Sequence, residues 1–369
     1  MLREEHLDAA VAEGIVTQAQ ATALRDFAAK RERVRARALG HEERFRFMRG
    51  FNDFFFATGV VMLGAGLMFF AGAGVTGNLV TAAVLWALAE LLVGRMRLVL
   101  PGILLVCFFV EAIYRAIPVD LWSTAASAPL QRMPASWIDL FLGGGMISRA
   151  AAPATIALKA LLGSGGAALF YARFRLPFAL LLVAGGLVVA SAALAREIGG
   201  TGAAQSLVLL FCGLAVFAAA MGFDASDRER LTRRADCAFW LHLLAAPLIV
   251  HSLITLTVSD LNFLSLTTGA ALTIVAIAVA LALVAVLIDR RALLVSTLSY
   301  LGFVIAYAIR NAGASAPTDQ AAVFFATLAL LGVLVLGLGV GWQPLRRALL
   351  TLLPTPAIDR LPPAAPATS

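Results

Sequence analysis

Apolar residues fill the chain from about position 51 to position 342, in runs of about 20 that short polar turns separate. A helix needs about 20 residues to cross the hydrocarbon core of a bilayer, so each run predicts one transmembrane helix. The fold class that we expect is therefore all-α, a polytopic transmembrane helix bundle of about ten spans. The predicted spans are 54–74, 78–94, 98–117, 151–171, 176–195, 204–223, 237–257, 263–288, 292–309 and 320–341.

Residues 1–50 have a different pattern, which predicts a small cytosolic helical hairpin and then a basic amphipathic stretch. Leu7, Val11 and Ile15 recur at helical spacing. Thr17 and Gln20 have the spacing of a capping box, so a second helix is expected to begin there. Towards position 50, phenylalanines alternate with arginines, a mixture that is typical of the membrane surface.

The chain after Trp342 forms a third predicted region, at 343–369. The segment PLRRALLTLLP predicts a short basic amphipathic helix at the membrane interface. The Pro/Ala tail LPPAAPATS carries too few apolar residues to fold by itself. The transmembrane domain is accordingly expected at 51–342.

Composition agrees with a membrane protein and argues against several other classes. The 369 residues are 61% hydrophobic and 14% charged, whereas about 25% of a soluble domain is charged. The net charge of +7 is dispersed among the turns, so we expect a lipid bilayer as its partner and no nucleic acid. The N-terminus has no apolar segment after a basic one, which argues against a cleaved signal peptide. No disulfide framework or metal-binding spacing is formed by the three cysteines, Cys107, Cys212 and Cys237.

The distribution of arginine predicts the orientation, because basic residues concentrate in cytoplasmic loops. With the N-terminus inside, the cytoplasmic turns hold twelve arginines and the opposite turns hold five. We therefore expect a multi-pass membrane protein with both termini in the cytoplasm. The twelve are Arg95, Arg97, Arg173, Arg175, Arg228, Arg230, Arg233, Arg234, Arg290, Arg291, Arg346 and Arg347, and the five are Arg115, Arg132, Arg149, Arg196 and Arg310.

Spans one to four and spans seven to ten share a layout, which suggests a parallel internal repeat. In each set the second helix ends in a tight arginine turn, and in the second set Asp289 and Arg290 form this turn at the interface. The third helix of each set ends in tyrosine and arginine, and the fourth contains ALLG. Chance similarity between Ala/Leu-rich helices is the alternative, and residues 118–150 leave the fourth span's placement open.

Ionisable groups inside a membrane are the best pointers to function, because they are costly to bury without a partner. Glu111 and Arg115 lie four residues apart on one helix face, either as a self-neutralised pair or as a carboxylate that binds a proton or solute. Lys159 lies nearer the middle of its span. It either extends to the interface or pairs with Glu111 on a neighbouring helix.

The seventh span, ADCAFWLHLLAAPLIVHSL, is the most distinctive segment. At 100° per residue, Asp236, Trp240, Pro247 and His251 fall in one stripe, while His242 points away, so the two histidines do not share a metal. Pro247 frees a carbonyl and suits a helix that lines a cavity, although a packed interior helix is the alternative. The candidate polar lining of the bundle is Glu111, Arg115, Lys159, Asp236, Trp240, His242 and His251.

Other charged residues have structural interpretations. Asp53 at the start of span one has the position of an N-cap, and Asp236 has the same position in span seven. Glu90 is one turn from the end of span two, where Arg95 or Arg97 would pair with it at the interface.

Enzyme signatures are missing, since the chain contains no GxSxG, HExxH or GxxxxGK[ST] motif. We therefore expect no enzymatic activity, no cofactor and no metal. The leading hypothesis is a transporter or permease-like binder of a small solute. The alternative is a membrane scaffold or sensor in which residues 1–30 bind a cytosolic partner. A membrane enzyme acting on lipid has less support, because no catalytic constellation is present.

The sequence resembles a bacterial group of predicted membrane proteins, the domain-of-unknown-function family 2157 and its relatives. The resemblance covers most of the chain and implies a multi-span fold in the bacterial cytoplasmic (inner) membrane. It implies no chemistry, because the family has no assigned activity. Residues 118–150 depart from the pattern. The segments that carry the resemblance are LDAAVAEGIVTQAQATALRDF, GFNDFFFATG, RADCAFWLHLLAAPLIVH, IDRRALLVS and WQPLRRALLTLLP.

Overall fold

The structure is a computed structural model, and ten long helices make up most of the part of the chain that it describes. The described residues are 11–27, 51–72, 74–117, 153–200, 202–227, 230, 232–258, 267–311 and 319–352. The first five helices are α1 (Phe51–Ala71), α2 (Val75–Ala89), α3 (Leu100–Ala116), α4 (Pro153–Phe174) and α5 (Pro177–Glu197). The others are α6 (Ala203–Ser226), α7 (Arg233–Thr257), α8 (Thr268–Ile288), α9 (Leu294–Arg310) and α10 (Gln320–Leu350). A π-helical turn, Glu90–Arg95, extends α2, and a 3-10 turn, Arg291–Leu293, precedes α9.

The helices identify an integral membrane protein. Each span predicted from the hydrophobic pattern coincides with one of the ten helices. Nine agree to within five residues at both ends, and α10 extends nine residues beyond its predicted end. Eight helices are long and apolar enough to cross a bilayer, and α3 and α9, with 17 residues each, lie at the lower limit of that length. The predicted fold class, an all-α bundle of the membrane type, is confirmed.

Helix α7 is central to the C-terminal half of the bundle, and α10 is peripheral. α7 packs against α5, α6, α8 and α9. In the most apolar 18-residue segment of α7, 61% of the residues are buried, compared with 6% in the corresponding segment of α10. The side chains of α7 therefore mostly contact protein, whereas those of the apolar part of α10 are mostly exposed on the outside of the bundle.

The N-terminal half has a core of aromatic rings that fixes α3 and α4 relative to each other. The ring of Trp86 in α2 lies 5.4 Å from that of Phe109 and 6.0 Å from that of Phe170, between centroids. Gly186 lets α5 approach α4 closely, because a Cβ at this position would lie 2.9 Å from the carbonyl oxygen of Ala160. These contacts therefore hold α2, α3 and α4 together, and α5 against α4.

Four tight turns reverse the chain at one end of the bundle, which we call the predicted cytoplasmic end. Each turn holds one left-handed residue that is not glycine, with φ values between 53° and 58°. Such residues are uncommon outside glycine, and here they let the helices reverse within a few positions. The short turns bring their charged side chains to the same end. The four residues are Arg97, Arg175, Arg230 and Asp289.

The C-terminal region differs from its prediction. A separate amphipathic helix was expected after Trp342, but α10 continues without interruption to Leu350 and includes Pro344. Proline removes one helix hydrogen bond and usually ends or kinks a helix. The last turns nevertheless stay helical, and in them Arg346 is fully buried against the bundle, near Asp289.

The N-terminal capping box is present. The Thr17 backbone N–H donates to Gln20 Oε1 at 2.9 Å, and the Gln20 backbone N–H donates to Thr17 Oγ1 at 3.3 Å. Residues 18–27 then form a helix. The first arm of the predicted hairpin, the basic stretch after it, residues 118–150 and the Pro/Ala tail lie outside the described residues.

Candidate functional site

A buried polar cluster of seven described residues lies at the predicted cytoplasmic end of the C-terminal half. It joins the end of α6, the α6–α7 turn, α7, the turn after α8 and the end of α10. We call it the inner cluster, and it consists of Asp224, Arg230, His242, Asp289, Arg290, Trp342 and Arg346.

Asp224 is the first centre of the inner cluster. Arg290 donates to it twice, from Nε to Oδ2 at 3.0 Å and from Nη2 to Oδ1. His242 Nε2 donates to the same Oδ2 at 3.0 Å, as the acceptor-only carboxylate requires. The exposed fractions are 5% for Asp224, 0% for His242 and 2% for Arg290. The carboxylate is therefore neutralised inside the protein by a two-point ion pair.

Asp289, the C-cap residue of α8, is the second centre. Trp342 Nε1–H donates to Asp289 Oδ1 at 2.7 Å, and Arg230 Nη1 donates to Oδ2 at 3.2 Å. Arg346 Nη1 lies 3.9 Å from the same Oδ2. Arg230 also donates to the carbonyls of Ile288 and Asp289, at 3.0 and 2.9 Å, where a helix end leaves acceptors unsatisfied.

The inner cluster has the features of a structural contact that holds helices together. Both of its carboxylates are paired with arginines, and all of its residues except the half-buried Arg230 are buried. Among the described residues, His242 Nδ1 has no hydrogen-bond partner. His242 was predicted to line a polar path, but it is fully buried in this cluster. Asp289 and Arg290 were expected in a turn at the interface, but both are buried, and Asp289 is the C-cap of α8.

Sequence reasoning missed part of the inner cluster. Arg230 and Arg346 were assigned to membrane orientation alone, and Asp224 was not singled out. Asp224 is the one Asp, Glu, Lys or Arg of α6, and it lies near the helix end that faces the arginine turns. A single aspartate near the end of an apolar span, next to a turn rich in arginine, could have indicated a buried ion pair.

A second polar cluster lies at the opposite, predicted external end, between α3 and α4. We call it the outer cluster, and it consists of Glu111, Tyr114, Arg115, Thr155 and Lys159. Arg115 Nε donates to Glu111 Oε1 at 2.5 Å, so the pair that the spacing of four predicted is present. Glu111 is 5% exposed, which places this ion pair largely inside the protein.

Lys159 is the unusual member of the outer cluster. It is 4% exposed, its Nζ lies 4.8 Å from the ring centroid of Tyr114, and it interacts electrostatically with Glu111. Of the two predicted alternatives, the structure therefore favours the interaction with Glu111 over an extension to the interface. No residue in the described part of the chain hydrogen-bonds its ammonium group.

Thr155 lies one helical turn before Lys159 and is 1% exposed. Its Oγ1 has no hydrogen-bond partner among the described residues. A threonine inside a helix usually donates to the carbonyl four residues earlier, but α4 begins only two residues before Thr155. The outer cluster thus brings together three of the predicted lining residues, Glu111, Arg115 and Lys159, and adds a buried hydroxyl.

The predicted stripe of α7 is not gathered into one site. Trp240 packs edge-on against Phe178, with ring centroids 4.7 Å apart, while Pro247 is exposed. His251 is exposed on the helix surface, where its Nδ1 lies 2.6 Å from Tyr300 Oη. The residues of the stripe therefore do not face one cavity: Trp240 packs against Phe178, and Pro247 and His251 are exposed.

Two predicted caps and one predicted ion pair are wrong in detail. Thr232, not Asp236, is the N-cap of α7, and its side chain accepts from the Arg234 backbone N–H. Asp53 is buried inside the first turn of α1 and not at its cap. Glu90 accepts from Arg173 Nη2 at 2.6 Å and not from an arginine of its own turn, because the ends of α2 and α4 are adjacent.

Metal-binding geometry is not found in the part of the chain that the structure describes. There, no group of three or more His, Cys, Asp or Glu residues could hold an ion. Cys107, Cys212 and Cys237 are free thiols within helices.

Comparison with known proteins returns no match. No family model, no curated protein and no solved structure matches this chain. The resemblance to the domain-of-unknown-function family 2157 therefore stays a prediction, and any function must be argued from the clusters themselves.

Proposed function

We propose that the protein binds a small solute within the membrane and moves it across the bilayer, as a transporter or permease does. The observation that supports the proposal is the burial of Lys159 in α4 at 4% exposure. Inserting a lysine at the centre of a membrane helix costs at least about 2.5 kcal/mol of free energy. Lysines inside membrane helices are therefore rare and usually functional.

The contrast between the two clusters supports the outer one as the solute site. In the inner cluster Asp224 and Arg290 satisfy each other with two hydrogen bonds. In the outer cluster the Lys159 ammonium faces an aromatic ring and the charge of Glu111, which Arg115 already holds. Among the described residues, the Lys159 ammonium and the Thr155 hydroxyl have no hydrogen-bond partner, and a polar ligand would supply one.

The same proposal places the protein in the bacterial cytoplasmic (inner) membrane with both termini in the cytoplasm. The excess of arginine in the turns of one side supports this orientation. The outer cluster would then open towards the outside, and the inner cluster would hold the cytoplasmic end.

A stability screen of the purified full chain tests the proposal. The protein in detergent is heated with a panel of metabolites, ions and lipids, because a ligand at about 100 times its Kd adds about 2.7 kcal/mol to stability. A solute that stabilises the protein is then tested for counterflow into proteoliposomes. Counterflow supports transport, and a panel without any stabilising solute contradicts the proposal.

Two variants locate the solute site. Glu111→Gln leaves Arg115 and Lys159 without their carboxylate and is expected to change the affinity for the solute. His251→Ala changes an exposed histidine that bonds Tyr300 on the other half of the bundle, and it serves as the control. Loss of the effect in the His251 variant alone would move the site to the α7–α9 surface.

The alternative function is a membrane scaffold or sensor. Apolar side chains of the N-terminal segment support it, since Ile15 is 70% exposed and Leu24 is 45% exposed. Exposed apolar residues outside the spans suit a protein contact with a cytosolic partner. Deletion of residues 1–30 is expected to remove the cellular effect of the protein under this alternative, while solute binding by the purified protein stays absent.

A further inference from the structure

The solute class follows from the charge balance of the outer cluster, and this inference rests on the proposed function. Glu111 carries one negative charge, and the nearby Arg115 and Lys159 carry two positive charges. The ion pair at 2.5 Å commits the carboxylate to Arg115. Among the described residues of the outer cluster, Lys159 therefore supplies an excess positive charge, which attracts an anion in a medium of low dielectric constant.

Two hydrogen-bond donors lie on the same face of α4. Thr155 and Lys159 are four residues apart, which places them one above the other on a helix. Both are more than nine-tenths buried, Thr155 at 1% and Lys159 at 4% exposure. The Thr155 hydroxyl has no partner, and the ammonium makes no hydrogen bond to any described residue.

The neighbouring aromatic ring does not complete this site. The Tyr114 ring attracts the ammonium from 4.8 Å. A ring face offers no oxygen to accept a hydrogen bond, and a cation–π contact is worth about 0.5–2 kcal/mol. Leaving a buried polar group without a partner costs about 1–3 kcal/mol, and more for a charged group. An oxygen acceptor placed between the two donors would remove that cost.

The start of α4 also favours a negative group. The free N–H groups of a helix N-terminus attract anions, and in this structure the Glu197 carboxylate accepts from the Ala154 backbone N–H at 3.2 Å. Among the described residues, Glu111 is the carboxylate whose charge reaches Lys159. Glu197 therefore binds the first turn of α4 and does not neutralise Lys159.

We propose that Thr155 and Lys159 form the binding site of a small monovalent oxyanion of the carboxylate type. The Lys159 ammonium and the Thr155 hydroxyl both donate to its oxygens, and the Tyr114 ring lies beside the ammonium. The bound anion completes the charge balance of the outer cluster and satisfies the two buried donors.

Thermal stability of the full chain in nanodiscs tests this site with defined probes. Sodium formate, acetate and nitrate are compared at constant sodium, and chloride salts of different cations are compared at constant chloride. The oxyanions are expected to raise the melting temperature in a saturable manner. Thr155→Val removes one donor at constant volume and is expected to weaken oxyanion affinity by about 10- to 100-fold, the loss of a hydrogen bond to a charged group.

Lys159→Met and Ser164→Ala complete the comparison. Lys159→Met is expected to abolish the oxyanion response and to raise stability without ligand, because it removes a buried charge that lacks a hydrogen bond. Ser164 lies on the same helix, but its hydroxyl donates to the Val183 carbonyl at 2.8 Å. Ser164→Ala is therefore the matched control and is expected to leave oxyanion affinity unchanged.

Each remaining outcome has a separate meaning. An oxyanion response that survives both Thr155→Val and Lys159→Met overturns this site. Stabilisation by cations or neutral solutes, without any by oxyanions, overturns the anion inference and leaves the proposed function standing. A panel in which no solute of any class acts overturns the proposed function and this inference together.

Discussion

Arg290 and Asp224 are 66 positions apart in the sequence, and the guanidinium of the first donates two hydrogen bonds to the carboxylate of the second. The pair connects the end of α6 to the turn between α8 and α9. His242 of α7 joins the same carboxylate at 3.0 Å, so three parts of the C-terminal half share one buried negative charge. The inner cluster thereby fixes helices that hydrophobic contact alone would allow to slide.

Removing the carboxylate should destabilise the bundle strongly. Asp224→Ala leaves Arg290 charged and buried, which costs about 3–5 kcal/mol when one partner of a buried pair is lost. The unfolding free energy in detergent, measured with a chemical denaturant, is expected to fall by this amount.

The double variant Asp224→Ala/Arg290→Met separates the lost charge pair from lost packing. Replacing both charges with apolar groups removes the stranded guanidinium, so much of the stability should return. Additive effects of the two single substitutions would show that the residues do not interact.

Trp342→Phe tests the second centre of the inner cluster. The substitution removes the N–H that donates to Asp289 at 2.7 Å and keeps an aromatic ring. A hydrogen bond to a charged group contributes about 1.5–3 kcal/mol, so the unfolding free energy should fall by about that much. Trp86→Phe is the control, because Trp86 packs against Phe109 and Phe170 through its ring alone. Equal losses in both variants would assign the effect to ring volume.

Glu90→Gln should have a small effect, although the residue also forms an ion pair. The side chains of Arg173 and Glu90 are 54% and 37% exposed, so water and salt screen the interaction. We expect a change in unfolding free energy below about 1 kcal/mol, which higher salt diminishes further. A loss as large as that of Asp224→Ala would mean that this pair is buried in the membrane-embedded protein.

Cysteine labelling tests the orientation. In a protein without its natural cysteines, Ile198→Cys places a thiol in the α5–α6 turn and Met96→Cys places one in the α2–α3 turn. Both natural side chains are exposed, at 88% and 40%. A membrane-impermeant maleimide should label Ile198→Cys in intact spheroplasts and Met96→Cys only after permeabilisation. The opposite result would invert the predicted topology.

Thr17→Ala tests the N-terminal capping box. It removes the side-chain acceptor of the Gln20 backbone N–H, which costs about 0.5–2 kcal/mol of local helix stability. Amide hydrogen exchange in residues 18–27 is expected to accelerate, while exchange in α7 stays unchanged. Unaltered exchange in 18–27 would indicate that tertiary contacts, for example at the buried Ala21, hold this helix.

Local features of the fold were predictable, because local rules determine them. Hydrophobic runs of about 20 residues gave the ten helices. The spacing of four between Glu111 and Arg115 gave an ion pair, and the spacing of three between Thr17 and Gln20 gave a capping box. Each of these needs only the geometry of a single helix.

Contacts between helices were predicted less well. Glu90 was expected to pair within its own turn, yet its partner Arg173 is 83 residues away. Buried Asp289 and Arg290 were expected at the interface, because a charged turn usually faces water. In the outer cluster, nothing in the sequence indicated that Thr155 would have no hydrogen-bond partner beside Lys159.

The sequence by itself determined that the protein lies in a membrane and where its helices run, because hydropathy acts on each segment independently of the rest of the chain. The tertiary structure alone decided which charges meet. Apolar faces of membrane helices resemble one another, so the pattern along one helix does not specify its neighbours. Asp224 meets Arg290, and Lys159 meets Tyr114, only when the close packing of particular helices brings them within a few ångströms.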